Sequence, residues 1–367
     1  MALTVLNIAF PLAEVGPHAI GGAEQVVTLV DRALVAAGHR SIVVAPEGSR
    51  VAGRLLPTPR PPARLDRGAW VAAHEAHRAA IREALARWPI DLVHLHGVDF
   101  DSYLPPPGPP ALVTLHLPAS HYAPGALRPG RPATYLHCVS ASQRALFPAD
   151  TPLLADVENG VDVASFRPAR RRRGYALALG RICPEKGFEA ALDAASRARL
   201  PLLLCGQAYG FPEHERYFEE RIRPRLGPGR RFVGPVGGDR KRRLLAGARC
   251  VVVSSLAPET CSLVALEALA SGTPVVAFRR GALPDLVEDG RTGFLVDTVE
   301  EMADAMVAAA RLSAATCRAE AERRFSSERT ARRYLELYDA LIGASSPSDR
   351  AGGPRARRLR APATPPR

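Results

Sequence analysis

Glu259 and Glu267 stand eight positions apart in the stretch RCVVVSSLAPETCSLVALEALASGTPVVAF, residues 249–278. The pattern predicts a strand at Cys250 to Ser254, a polar loop, a helix over Ser262 to Ala270 and a second strand at Pro274 to Phe278. The helix carries Leu263, Val264, Leu266, Leu269 and alanines, so it is apolar on every side and expected to be buried. An ionised carboxylate such as Glu267 can sit there only if something pairs with it or hydrogen-bonds to it. Glu259 lies in the loop that opens the helix, up to about 12 Å from Glu267 if the whole span were helical. Between them, Ser262, Leu263 and Val264 would present free backbone N–H groups, which favour an anion. Acids at two depths with an anion site between them suit a ligand with hydroxyls at both ends and phosphate in the middle. A nucleotide sugar has that layout. The competing reading makes Glu267 a structural carboxylate and Glu259 an ordinary loop acid.

The elements that must hold these groups are apolar strands alternating with helices. Both strands of the stretch are continuous apolar runs, as in a parallel sheet covered on both faces. Upstream, strand Tyr175 to Leu179 leads into Gly180-Arg181-Ile182-Cys183-Pro184-Glu185-Lys186-Gly187. Two cations five apart, bracketed by glycines after a strand, are suited to clamping a diphosphate; a salt bridge at a helix start is the alternative. Further strands are expected at Leu202 to Cys205 and Phe232 to Val236.

The first half repeats the theme. Strand Leu3 to Phe10 is followed by Gly21-Gly22-Ala23-Glu24 and a helix with Val26, Leu29, Val30, Ala33, Leu34 and Ala37 on one face. Strand, glycine turn and helix form the phosphate-loop geometry of a doubly wound domain. Strands follow at Ser41 to Ala45, Asp91 to His96, Ala111 to Leu115 and Leu136 to Ser140, with a long helix near Asp66 to Trp88. His116 ends its strand at the carboxyl edge, where such sheets bind ligands. The Asp99-Phe100-Asp101 triplet is too short to argue for a metal.

The segment Pro258-Glu259-Thr260-Cys261-Ser262-Leu263-Val264-Ala265-Leu266-Glu267-Ala268, closed by Gly272-Thr273-Pro274-Val275, resembles the donor-site signature of the family 4 retaining glycosyltransferases. The family's Phe-Gly pair is replaced here by Cys261-Ser262. Gly180 to Gly187 matches the family's Gly-Arg-x-x-x-x-Lys-Gly motif, and Glu158-Asn159-Gly160-Val161-Asp162 resembles the end of its first half. The resemblance is concentrated in 173–342. It implies an α/β GT-B fold: two facing Rossmann-like domains with a central cleft and a C-terminal helix returning to the first domain. The expected division is an acceptor-binding domain over 1–165, a donor domain over 166–325, the returning helix over 326–342 and a disordered basic tail over 343–367.

The resemblance also implies roles. Arg181, Lys186, Cys261, Ser262, Leu263 and Val264 would bind the donor, with Glu259 on sugar hydroxyls and Glu267 on the ribose. Gly21 and Gly22 would approach the donor from across the cleft, the backbone at Pro235 and Val236 would meet the base, and His116 would face the sugar. His116, Arg181, Lys186 and Glu259 form the expected catalytic set. The implied function is metal-independent, retaining transfer of a hexose-type sugar from a nucleotide-diphosphate donor to an acceptor hydroxyl on a glycan, glycolipid or small-molecule glycoside, with no cofactor. A sugar-nucleotide epimerase or phosphorylase of the same fold, or a non-catalytic nucleotide-sugar-binding protein, are the alternatives.

Composition fits an enzyme of this size. At 367 residues and 47% hydrophobic, the chain suits two domains. Its opening, MALTVLNIAF, lacks a basic start and reads as a strand, and no run approaches the ~18 apolar residues of a membrane span. Six scattered cysteines without a CxxC pair suggest reduced thiols in a cytoplasmic protein. The net charge of +12 is unevenly placed: from Gly343 onward there are six arginines against one aspartate, and Arg170 to Arg173 and Asp239-Arg240-Lys241-Arg242-Arg243 form further clusters. A solvated arginine surface is the first reading, and attraction of a peripheral protein to an anionic membrane carrying lipid-linked acceptors the second. No aromatic-interleaved motif accompanies the charge, so nucleic acid is not expected as a partner.

Overall fold

The computed structural model of the chain describes residues 2–17, 19–62, 65–208 and 211–344. Six parallel strands build a first sheet: β1 (Thr4–Ile8), β2 (Arg40–Pro46), β3 (Arg54–Thr58), β4 (Leu92–Leu95), β5 (Ala111–Leu115) and β6 (Thr134–Cys138), in the order β3-β2-β1-β4-β5-β6. Six more build a second: β7 (Ala176–Arg181), β8 (Leu202–Gln207), β9 (Arg230–Gly234), β10 (Cys250–Val253), β11 (Val275–Phe278) and β12 (Gly293–Val296). Its order, β12-β11-β10-β7-β8-β9, is that of the first sheet read from the other edge. Strand order therefore reverses beside β1 and β4 in one domain and beside β7 and β10 in the other, and ligands bind at such switch points. The fold is that of two Rossmann-like domains.

The central strands are apolar runs because both faces are covered. TVLNI, ALVTL, CVVV and VVAF are buried at every position. Two strands lie outside the sequence expectation. β3 reads RLLPT, and its proline suits an edge that pairs only with β2. β12 is the other, a short strand that pairs with β11 from Gly293 onward. Glycine at the start of a short strand masks its signal.

The last helix, Ser327–Ala344, returns to the first domain and continues past the expected end at Ile342. Tyr334, Tyr338 and Leu341 enter a core with Val5, Val26, Val30 and Leu34. Residues 345–367, most of the expected disordered tail, lie outside the described residues. Among the described residues no helix is long and apolar enough to cross a membrane.

Beneath this helix runs a buried polar network. His94 Nδ1 is 2.6 Å from the Tyr338 hydroxyl and its Nε2 is 2.7 Å from Thr114 Oγ1, which also lies 2.7 Å from His137 Nε2. His96 Nδ1 is 3.2 Å from His116 Nε2. Burial holds all four rings below their ordinary value, His137 to about 4 and His116 to about 3, and the neighbouring histidines add to the effect on His94, His96 and His116. In the unfolded chain these rings take up protons near pH 6.5. From there down to about pH 4 the unfolded state binds protons that the folded state refuses, so this contribution to stability is lost as pH falls through that window. The urea midpoint is expected to be lower at pH 5 than at pH 7; an unchanged midpoint would contradict neutral burial of these histidines.

Candidate functional site

Chemistry-bearing residues gather at the switch point of the second sheet. Arg181 ends β7 and is exposed, and the loop after it brings Lys186 Nζ to 2.6 Å from Glu259 Oε1. Glu259 reaches this place because two loops are knit together. Leu256 N donates to Glu185 O at 2.8 Å, and Ser254 Oγ donates to Lys186 O at 3.0 Å. The Ser255 hydroxyl donates to the same carboxylate oxygen that Lys186 holds.

Two glycines permit the close packing. Gly187 sits at φ +55°, where a Cβ would stand 2.5 Å from Ser254 O. Gly281 sits at φ +56°, where a Cβ would meet the Glu259 backbone N at 2.4 Å and O at 2.3 Å. Both conformations favour glycine.

The site helix is Leu263–Ala270, with the Ser262 side chain as its cap on Ala265 N. Glu267 is 4% exposed, and its Oε1 lies 2.5 Å from Lys241 Nζ. The competing structural reading therefore holds for one oxygen. Oε2 has no partner among the described residues. Glu267 also lines a cavity of about 100 Å³ with Lys241, Gly180, Pro235, Val236 and Val264 on one wall and Ala19, Ile20 and Gln25 of the first domain on the other. The second domain thus carries two lysine–glutamate pairs, Lys241–Glu267 in the wall of this cavity and Lys186–Glu259 in the loops before the site helix. Lys241 was read from the sequence as part of a solvated basic run; instead it counterbalances the buried acid. Its neighbours in that run, Asp239 and three arginines, hid it.

The first domain closes over this wall. Gly22 faces the start of the site helix, since a Cβ there would lie 3.6 Å from Leu263 Cδ1. Gly21 is covered by the Glu24 side chain, whose carboxyl burial raises above its usual range while Arg181 across the cleft pulls it back. His116 joins the same region through its backbone: Thr260 Oγ1 donates to His116 O at 2.7 Å, and Ser140 Oγ donates to Thr260 O at 2.6 Å. His116 stays neutral at physiological pH, so its ring is suited to hydrogen bonding and not to charge. Glu24, Lys241, Thr260 and Gly281 had no functional reading from the sequence. Only Glu24 had a visible signal, an acid two positions after a glycine pair.

Cys261 lies beside Asn159, and burial pushes its thiol up to about 12, so it stays protonated. Asp99 bonds His74 at 2.6 Å and the Tyr103 hydroxyl at 2.8 Å, which makes the Asp99–Asp101 triplet a structural feature. Arg172 of the Arg170 to Arg173 cluster donates to Arg249 O and Ala309 O at 3.4 and 3.3 Å, so it braces the second domain.

Comparison with known proteins agrees with this geometry. The model of the glycosyltransferase family 4 domain matches 20–151, and that of the glycosyl transferases group 1 domain matches 173–311; between them they span most of the chain. A D-inositol 3-phosphate glycosyltransferase of Nocardioides sp. is 35% identical over 230 residues, covering 53% of this chain and 50% of that protein. One from Catenulispora acidiphila is 36% identical over 173 residues, covering 41% and 40%. The chain spans about half the length of the curated relatives it matches. AviGT4, a glycosyltransferase involved in avilamycin A biosynthesis, superposes with a TM-score of 0.70 at 27% identity, covering 94% of this chain and 99% of that one. A sucrose-phosphate synthase of Thermosynechococcus elongatus has the same fold, with a TM-score of 0.77 at 21% identity over 94% of this chain and all of that one. With the order of both sheets and both family domains in agreement, the chain belongs to glycosyltransferase family 4 and has the GT-B fold.

Proposed function

We propose that the chain is a retaining glycosyltransferase that moves a hexose-type sugar from a nucleotide-diphosphate donor to an acceptor hydroxyl. The observation that carries this is the pair of lysine–glutamate contacts, one in the loop before the start of the site helix and one within that helix, on the wall of the cavity. The cavity at Pro235, Val236 and Glu267 would take the nucleoside, with Glu267 Oε2 accepting from ribose hydroxyls. Arg181, Lys186 and the Ser262–Leu263 backbone would hold the diphosphate. Glu259 would accept from sugar hydroxyls, and His116 would face the sugar from the first domain.

Transfer breaks the bond between the anomeric carbon and the phosphate oxygen and makes one to the acceptor oxygen. The acceptor proton passes to the departing diphosphate, and retention follows if both oxygens lie on one face of the sugar. Charge grows on the leaving group, and two cations and a helix start aimed at it supply the stabilisation that transfer needs without a metal ion. Closure of the first domain over the donor would exclude water and limit hydrolysis. The acceptor would be a glycan, glycolipid or small-molecule glycoside reached from the first domain, and the basic surface would allow peripheral contact with an anionic membrane from a cytoplasmic location. Product analysis with and without an acceptor separates transfer from epimerisation, which needs none.

A donor that binds only the folded chain must raise its melting temperature. One of UDP-, GDP- or ADP-hexose is expected to do so, and a flat response to all three would remove the donor reading. Lys186→Ala is expected to lower kcat/KM more than tenfold, as for loss of a charge-assisted bond; unchanged turnover would take Lys186 out of the mechanism. Glu267→Gln should mainly weaken nucleotide affinity in a direct binding assay, and intact affinity would overturn the ribose role. Gly281→Ala should cost about 1–3 kcal/mol of stability through its left-handed backbone and, by displacing Glu259, reduce kcat/KM more than nucleotide affinity. Equal losses in both would show that Gly281 serves the fold alone.

A further inference from the structure

The loop between Arg181 and Lys186 carries two residues that the transfer reaction does not use. Cys183 is fully buried and Glu185 is exposed. Across from them, His214 in the short helix Pro212–Tyr217 is 5% exposed, and its Nδ1 is enclosed without a partner among the described residues. One ligand atom from each of the three, a sulfur, a carboxylate oxygen and a ring nitrogen, lies within 4.8 Å of the other two.

We propose that Cys183, Glu185 and His214 form a three-ligand site for a zinc-class divalent ion. The donor set argues for that class. Sulfur with imidazole and a single carboxylate suits zinc, whereas magnesium and calcium require several oxygens. In a tetrahedral zinc site with bonds of about 2.0–2.3 Å, neighbouring ligand atoms stand roughly 3.5 Å apart. Since the three atoms lie within 4.8 Å of one another, closing to that spacing takes shifts of at most roughly 1.3 Å. Binding deprotonates the Cys183 thiol and releases its proton to solvent. Thiolate and carboxylate then neutralise the double charge of the ion, so the field of nearby Arg181, which reaches all three residues, meets a neutral site. The fourth position lies open, as three protein ligands leave it.

The consequence is mechanical. The ion would pin the loop after β7 to the helix Pro212–Tyr217, which belongs to a different crossover of the same sheet. Occupancy does not depend on what the cleft transfers; only the further effect on Arg181 and Lys186 rests on the donor reading.

The test uses the full chain, stripped with a chelator and titrated with Co(II). One equivalent is expected to bind with near-ultraviolet thiolate-to-cobalt absorption, and Zn(II) should displace it. Cys183→Ser should abolish the absorption. Glu185→Gln, at an exposed position, should keep the stripped protein's melting temperature while weakening Co(II) affinity at least about tenfold. His214→Gln should weaken it similarly. No saturable absorption, or absorption of equal strength in Cys183→Ser, would overturn the site. So would unchanged affinity in Glu185→Gln.

Discussion

A carboxylate inside an apolar helix is the constraint on which this cleft is built. The helix Leu263–Ala270 packs most of its side chains into the core of the second domain, and Glu267, on its cavity-facing side, interrupts it. Unpaired, that charge would cost several kcal/mol or lose its ionisation. Lys241, from the crossover after β9, removes the problem at one oxygen and leaves the other free. Because the partner arrives from a separate segment, the pair also fixes how the helix Gly238–Gly247 lies against the site helix. The cavity between them is therefore shaped by an electrostatic requirement and not by apolar packing alone.

The same logic ties the two domains. Thr260 sits beside Glu259 in sequence, yet its hydroxyl and carbonyl bond to His116 and Ser140 of the first domain. The loop carrying the outer acid is thus shared: Gly281 and Lys186 position it from one side, Thr260 anchors it to the other. His116 in turn leans on His96, and the neighbouring His94 reaches the returning helix through Tyr338. That helix completes the core behind the strands that carry these histidines.

Much of the architecture was legible in the sequence because parallel strands covered on both faces are unbroken apolar runs, and glycines and caps mark the turns between them. β3 was not, since Pro57 and an exposed edge position leave no such run. β12 was not, since it is short and opens on Gly293. In the site, Glu259, Glu267, Arg181 and Lys186 stood out by spacing and by conflict with their surroundings. Lys241 did not, because a lysine among Asp239, Arg240, Arg242 and Arg243 looks like any solvated face; only the distance to Glu267 distinguishes it. Gly281 and Thr260 act through backbone contacts made across the fold, which no local pattern encodes.

The pairing of each acid with a lysine also restricts what can enter. Lys186 and Glu259 have side chains 30% and 10% exposed, so separating them strands a largely buried carboxylate. Breaking a buried pair by removing one partner costs about 3–5 kcal/mol. A phosphate alone could draw Lys186 away but would leave Glu259 without donors. A free sugar could offer hydroxyls to Glu259 but nothing to repay the lysine. A ligand that carries phosphate and hydroxyls a few bonds apart would satisfy both at once, and the nucleoside end of the proposed donor would meet the same demand at Lys241 and Glu267. Under the proposed function, selectivity for a sugar joined to a diphosphate would then arise from the cost of disturbing pairs already formed, with no need for a pocket moulded to one sugar.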